Sequence, residues 1–127
     1  MFDYVLVVDD DPVFCEVVRT YLEDQDVKHV LVANLAGDAL EILKQKSDQT
    51  GFVILDLTMP KFDGIELLKE MKDLFFSGQI AIVSSQTPTV IGMAEELGAQ
   101  YGLNILGAVR KPLNKDTLDR WMGGVPA

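Results

Sequence analysis

The stretch Tyr4-Val5-Leu6-Val7-Val8-Asp9-Asp10-Asp11-Pro12 decides the fold of this chain. Its short, nearly continuous apolar run is the pattern of a strand covered on both faces. Asp11 before Pro12 then supplies an N-cap and a proline at the first helical position, so a helix begins at once. Within that helix Val13/Phe14, Val17/Val18 and Tyr21/Leu22 recur every four residues, which predicts an apolar face opposite Glu16, Arg19 and Glu23. A strand feeding directly into an amphipathic helix is one βα unit, and this one carries carboxylates at the strand end.

The alternation continues along the 127 residues. Phe52 to Leu55, Ile80 to Val83 and Ile105 to Val109 are further apolar runs of the doubly covered kind, while Lys28 to Ala33 opens on Lys28 and His29 and reads as an edge strand. Helices are predicted around Leu35-Ala36, Ala39-Leu40 and Leu43, then Ile65, Leu67-Leu68, Met71 and Leu74-Phe75. Val90-Ile91, Met93-Ala94 and Leu97 make a fourth, and Leu118, Trp121 and Met122 a fifth, capped by Asn114. Strict alternation gives an α/β fold of (βα)5 type. The right-handed crossover rule favours a flavodoxin-like parallel sheet of order 2-1-3-4-5 with helices on both faces. One domain is expected over 1–122. From Gly123 the composition turns loop-like, so 123–127 reads as a tail, the start of a linker to an effector domain absent here.

Composition narrows the function. A formal net charge of −9 repels a phosphate backbone and argues against direct nucleic-acid binding. There is no long apolar span and no basic-then-apolar N-terminus, so a cytoplasmic protein without membrane contact is expected. The single cysteine, Cys15, cannot form an internal disulfide and fits a buried helical position. His29, with no second ligand nearby, fits a partly exposed strand start.

Ligands of open α/β sheets bind beyond the carboxyl ends of the strands. At those ends stand Asp9, Asp10 and Asp11 after the first strand, Asp56 after the third, Ser84 and Ser85 after the fourth, and Lys111 and Pro112 after the fifth. Neighbouring first and third strands bring Asp9, Asp10 and Asp56 together, which is unfavourable unless positive charge intervenes. A hard divalent cation with oxygen ligands, magnesium, is one source, and the Lys111 ammonium is the other. Acids at a helix N-terminus explain Asp11 alone. The chemistry that fits all of them is phosphoryl transfer to a carboxylate. Asp56 is the expected acceptor, because it stands apart from the adjacent first-strand pair. Magnesium, Lys111 and the Ser84 hydroxyl would each screen one phosphoryl oxygen, with backbone groups near Leu57 and Thr58 adding contacts.

Taken together, Val7-Val8-Asp9-Asp10-Asp11-Pro12, Asp56-Leu57-Thr58-Met59-Pro60-Lys61-Phe62-Asp63-Gly64, Val83-Ser84-Ser85 and Arg110-Lys111-Pro112-Leu113 closely resemble the response-regulator receiver family of two-component signalling. The resemblance spans essentially the whole chain. It implies a histidine kinase or phosphotransfer protein as phosphodonor, magnesium as cofactor and phosphoaspartate at Asp56. It also implies Asp10 as direct metal ligand, Asp9 as its largely water-mediated helper, the Thr58 carbonyl as a further ligand, Ser84 as switching hydroxyl, Lys111 as phosphate partner and a cis Lys111–Pro112 bond. Such a domain is a switch that assists its own phosphorylation and dephosphorylation, not an enzyme with an external substrate. Its partners would be an effector domain or separate target and, on phosphorylation, a second copy of the chain.

Two features depart from the family. Ala108 occupies the place, late in the fifth strand, where receivers commonly carry a switching Tyr or Phe. Gly98-Ala99 also lies farther ahead of Lys111-Pro112 than usual, with Gln100 to Leu106 lengthening the fourth helix or its exit loop. The stretch from Asn104 to Pro112 resembles receivers fused to cyclic-di-GMP phosphodiesterase domains. Competing readings are a phosphohydrolase, which usually needs a second acid where Thr58 stands, a flavodoxin-like cofactor binder, which wants a Ser/Thr/Gly loop where three aspartates stand, and an inert interaction module.

Overall fold

A computed structural model of the chain describes residues 4–59 and 64–124. The part of the second motif at Pro60-Lys61-Phe62-Asp63, and Val125-Pro126-Ala127 of the tail, lie outside the described residues. The elements alternate as expected: β1 (Tyr4–Val8), α1 (Pro12–Asp24), β2 (His29–Ala33), α2 (Ala36–Lys46), β3 (Thr50–Leu55), α3 (Gly64–Asp73), β4 (Gln79–Ser84), α4 (Pro88–Gln100), β5 (Asn104–Arg110) and α5 (Lys115–Gly124). All strand pairs are parallel, in the order β2-β1-β3-β4-β5.

Side chains one apart on a strand face opposite ways, and this divides the interior into two layers. Leu6 and Val8 of β1 join Val53 and Leu55 of β3 and Ile80 and Ile82 of β4 under α2, α3 and α4. Val5, Val7, Phe52, Ile54, Ala81 and Val83 face the other way, onto Cys15, Val18 and Leu22 of α1 and Leu118 and Trp121 of α5. Both faces of the three central strands are therefore apolar, which is why those runs are nearly unbroken in sequence. β2 is an edge strand, with His29 exposed at its start and stacked on Tyr4 at a centroid distance of 4.4 Å.

Several local expectations shift. The predicted apolar face of α1 is too wide: Val13 and Val17 are 71% and 64% exposed, and Cys15, Val18 and Leu22 form the buried stripe. A helix resting on one sheet face can bury only part of a stripe that broad. β5 is the other edge of the sheet, and its residues from Ile105 to Val109 are only half-buried. The lengthened 100–106 stretch is absorbed by carrying α4 to Gln100 and by a bulge, since Ile80 pairs Ile105 but Ala81 pairs Gly107, leaving Leu106 as the extra residue. α4 lies close on β5 because residue 98 is glycine: a Cβ there would meet Ile105 Cδ1 at 2.7 Å. α5 runs on to Gly124, past the point where the composition turns loop-like. No helix among the described residues is long and apolar enough to cross a membrane.

Candidate functional site

The carboxyl ends of β1, β3, β4 and β5 gather the predicted residues at one edge of the sheet. Strand register does the first part of the work. Val8 pairs with Ala33 on one side and Leu55 on the other, so the next residues, Asp9 and Asp56, leave the sheet side by side. The ladder continues one step beyond the strands, with Asp9 N–H donating to the Ala33 carbonyl at 3.1 Å and Asp56 N–H to the Val8 carbonyl at 2.9 Å. Both backbones are thus pinned before their side chains are considered.

Asp9 is buried, at 1% exposure, and Asp56 nearly so at 5%, whereas Asp10 is exposed. One oxygen from each of the three lies within 4.8 Å of the others. Asp9 Oδ1 accepts from the Asp11 N–H at 2.9 Å, and its main-chain carbonyl accepts from Asn34 Nδ2 at 2.9 Å and from the Cys15 thiol at 3.4 Å. The Asp11 carboxylate is committed elsewhere, capping α1 through the Val13 and Phe14 N–H groups. Asp56 Oδ1 accepts from the Thr58 N–H at 3.3 Å.

Lys111 enters from β5. Its N–H donates to the Ser84 carbonyl at 2.8 Å, and the Lys111–Pro112 bond is cis, as the family resemblance implied. The ammonium lies 2.7 Å from Asp9 Oδ2 and 3.9 Å from Asp56 Oδ2. The contact to Asp9 is an ion pair rather than a well-directed hydrogen bond, and that oxygen has no hydrogen-bond partner among the described residues. The ammonium also sits 4.5 Å from the centre of the Phe14 ring. Burial raises the Asp9 carboxyl above its ordinary range, and the Asp56 charge adds to the rise, while Lys111 and the Asp11 N–H offset it in part. For Lys111 burial works against the ammonium, but Asp9 and then Asp56 and Asp11 outweigh it, so its pKa stands above the ordinary lysine value. Burial, seconded by Asp9 and Asp11, lifts the Cys15 thiol to about 11, which makes it an unreactive core residue.

Above these groups lies a cleft of about 440 Å3 lined by Asp10, Asp11, Asp56, Thr58, Ser85, Gln86, Thr87 and Lys111. Ser84 is fully buried beneath its wall, and its hydroxyl accepts from the Gln86 N–H at 3.3 Å. The Gln86 side-chain amide donates to the Thr58 hydroxyl at 2.6 Å, tying the loop after β4 to the loop after β3. Gly64 holds the acceptor loop from below: its N–H donates to the Leu57 carbonyl at 3.1 Å, and a Cβ would collide with the Asp56 carbonyl oxygen.

The donor set suits a small, hard cation. Three carboxylates with no histidine or thiolate aimed among them, one of them already needing a positive partner, describe an oxygen site of the magnesium or calcium kind. The structure gathers Asp9, Asp10, Asp56, Lys111 and Thr58 at this edge, with Ser84 buried at the end of β4. The sequence reading missed Asn34 and Phe14. Asn34 follows the last residue of β2 at the same sheet edge and could have been found there. Phe14 was assigned only to the apolar face of α1.

Residues 5–121 match the model of the response regulator receiver domain family. A transcriptional regulatory protein of Bacillus subtilis, GlnL, is 28% identical over 109 residues, which is 86% of this chain and 33% of that protein. The two-component response regulator ARR11 of Arabidopsis thaliana is 37% identical over 67 residues, 53% of this chain and 13% of its own. The chain therefore spans a third or less of the length of these two relatives. Among solved structures, a response regulator from Colwellia psychrerythraea superposes with a TM-score of 0.82 at 27% identity, covering 98% of this chain and 96% of that one. A family model covering nearly all of the chain, on a fold of order 2-1-3-4-5 whose strand ends gather these acids and a lysine, identifies it as a member of the response regulator receiver domain family.

Proposed function

We propose that Asp56 is the phosphoacceptor of a magnesium-dependent switch, charged by a histidine kinase or a phosphotransfer protein. The observation that carries this reading is the convergence of Asp9, Asp10 and Asp56 at an open cleft, with the Lys111 ammonium beside Asp9 and Asp56. In the transfer an Asp56 carboxylate oxygen forms a bond to phosphorus as the bond from phosphorus to the donor's imidazole nitrogen breaks, its electron pair staying on nitrogen. Asp10, Asp9, Asp56 and the Thr58 carbonyl would hold magnesium, which when bound supplies positive charge to the acids and to a phosphoryl oxygen. Lys111 faces a second oxygen and the Ser84 hydroxyl a third. The chain thus assists its own phosphorylation and dephosphorylation, and acts as a signalling switch rather than on an external substrate.

Transmission follows from what Ser84 holds. Its hydroxyl accepts from Gln86 N–H and its carbonyl accepts from Lys111 N–H, so it links the loop before α4 to the turn before α5. Drawing that hydroxyl toward a phosphoryl oxygen gives up the Gln86 contact and releases 85–87, resetting the surface of the fourth and fifth βα units. Ala108 packs toward the α4 side of the sheet and brings no aromatic ring to this motion. The reset surface addresses an effector domain of the full-length protein, a separate protein target or a second copy of the chain, in the cytoplasm. The resemblance of Asn104 to Pro112 favours a cyclic-di-GMP phosphodiesterase effector, the name of GlnL a transcriptional one; the coding sequence beyond Ala127 decides between them.

The test is direct. Incubation with magnesium and acetyl phosphate adds one phosphoryl group by intact-mass measurement, and Asp56→Asn abolishes it. Persistence of the adduct in that variant overturns the acceptor assignment, and multiple turnover of phosphate esters overturns the switch.

A further inference from the structure

We infer that Phe14 is a positioning residue for the phosphoacceptor reaction, its ring face holding the Lys111 ammonium over the Asp9–Asp56 pair. The inference rests on the reading that Lys111 serves Asp56. A lysine head on a four-carbon stem has many rotamers, and a useful phosphate partner must occupy one of them. Two kinds of contact restrict it here. The carboxylates of Asp9 and Asp56 pull it from one side, at 2.7 and 3.9 Å, and the Phe14 ring supports it at 4.5 Å from the centroid, well inside the range of a cation–π attraction.

The two supports respond differently to the reaction. Positive charge placed among the acids weakens the carboxylate pull on the ammonium. The ring quadrupole is untouched by it. Phe14 therefore matters most when the acids are neutralised and the ammonium must stay near the phosphoryl oxygens. The backbone that carries the ring is held at the start of α1, where the Asp11 carboxylate accepts from the Phe14 N–H. The ring also has room: Phe14 and Lys111 both border a groove of about 640 Å3 between α1 and the turn before α5, so a larger aromatic fits at this position.

The experiment uses the full chain with Phe14 replaced by leucine, by tryptophan and, site-specifically, by mono-, di- and trifluorinated phenylalanine, which keep the ring's shape while draining its face. Phosphorylation by acetyl phosphate is expected to slow about fivefold in Phe14→Leu, the equivalent of ~1 kcal/mol, to fall stepwise with fluorination and to be restored in Phe14→Trp. In metal-free protein the Lys111 ε-methylene protons should resonate upfield under the ring current and return to ordinary positions in Phe14→Leu. A flat fluorination series, or Lys111 protons at ordinary shifts in the unsubstituted chain, overturns the inference. Asp56→Asn and Lys111→Ala serve as controls. If Lys111→Ala reacts as fast as the unsubstituted chain, the underlying reading has failed and the inference falls with it; if both controls lose activity and the Phe14 series is flat, only the inference falls. Should Phe14→Leu fold poorly, the shape-preserving fluorinated series still decides.

Discussion

Lys111 Nζ lies 2.7 Å from Asp9 Oδ2 and 3.9 Å from Asp56 Oδ2, so the ammonium is committed to the buried acid and only leans toward the acceptor. A cation arriving among Asp9, Asp10 and Asp56 competes with that ion pair. Lys111→Met keeps the apolar stem and removes the competitor. It should bind magnesium tighter, on the order of tenfold, while phosphorylating more slowly. Isothermal titration against acetyl-phosphate kinetics separates the two effects, and weaker magnesium binding in the variant would contradict the competition.

Asp9 also makes the site costly to fold. Burial raises its pKa above the ordinary 3.8, so the folded chain holds that proton to higher pH than the unfolded one. The sign follows: the stability from this group is fully present below 3.8 and is lost as pH rises through the raised folded value. Asp9→Asn removes the loss. In chelator-treated buffer at neutral pH it should be more stable than the unsubstituted chain, with the gap closing toward the ordinary carboxylate range. Urea melts at several pH values check this, and a destabilised Asn variant at pH 7 would refute it.

Most of this geometry was legible in the sequence because it depends on strand ends. A parallel βα alternation fixes which residues leave the sheet together, so Asp9, Asp56, Ser84 and Lys111 could be placed from order alone. Phase around a helix was less legible. Val13 and Val17 are apolar at helical spacing yet exposed, since the sequence does not say how much of α1 the sheet and α5 can cover. The same uncertainty hid Phe14, whose ring lies at the border of core and site. The length of 100–106 was visible, but its resolution into a longer α4 and a bulge at Leu106 depended on tertiary packing of Gly98 on Ile105.

Metal should act on stability as well as chemistry. Any ligand of the folded state alone stabilises it by mass action, about 2.7 kcal/mol at a hundredfold excess over Kd. Magnesium titrated into the unsubstituted chain should raise Tm progressively, and Asp10→Asn should lose most of the rise. Calorimetry with and without chelator reads it, and an equal rise in Asp10→Asn would move the cation elsewhere.

Gly64 has a steric reason to be glycine, because a Cβ there would strike the Asp56 carbonyl oxygen and come within 2.8 Å of Leu57 Cα. Both obstacles are backbone and cannot rotate away. Gly64→Ala should therefore destabilise by roughly 1–3 kcal/mol, as overpacking does, and displace the acceptor loop enough to slow phosphorylation. A chemical-denaturation midpoint unchanged by the substitution would show that the loop yields freely.

The bond from Gln86 Nε2 to Thr58 Oγ1, at 2.6 Å, joins two residues that line the cleft with Asp56. Water that hydrolyses a phosphoaspartate must approach phosphorus from the cleft, opposite the Asp56 oxygen, and both partners of this bond line that cleft. Gln86→Ala opens it without touching a carboxylate, the lysine or the buried Ser84 hydroxyl. Loss of the phosphoryl group should then be roughly fivefold faster, on the order of 1 kcal/mol off the barrier, with uptake from acetyl phosphate nearly unchanged. Thr58→Val, which removes only the accepting oxygen, should reproduce the acceleration if the bridge is what excludes water. Pulse-labelling with phosphodonor followed by a chase measures both rates, and a slower loss in Gln86→Ala would mean that the amide orients the attacking water instead of barring it.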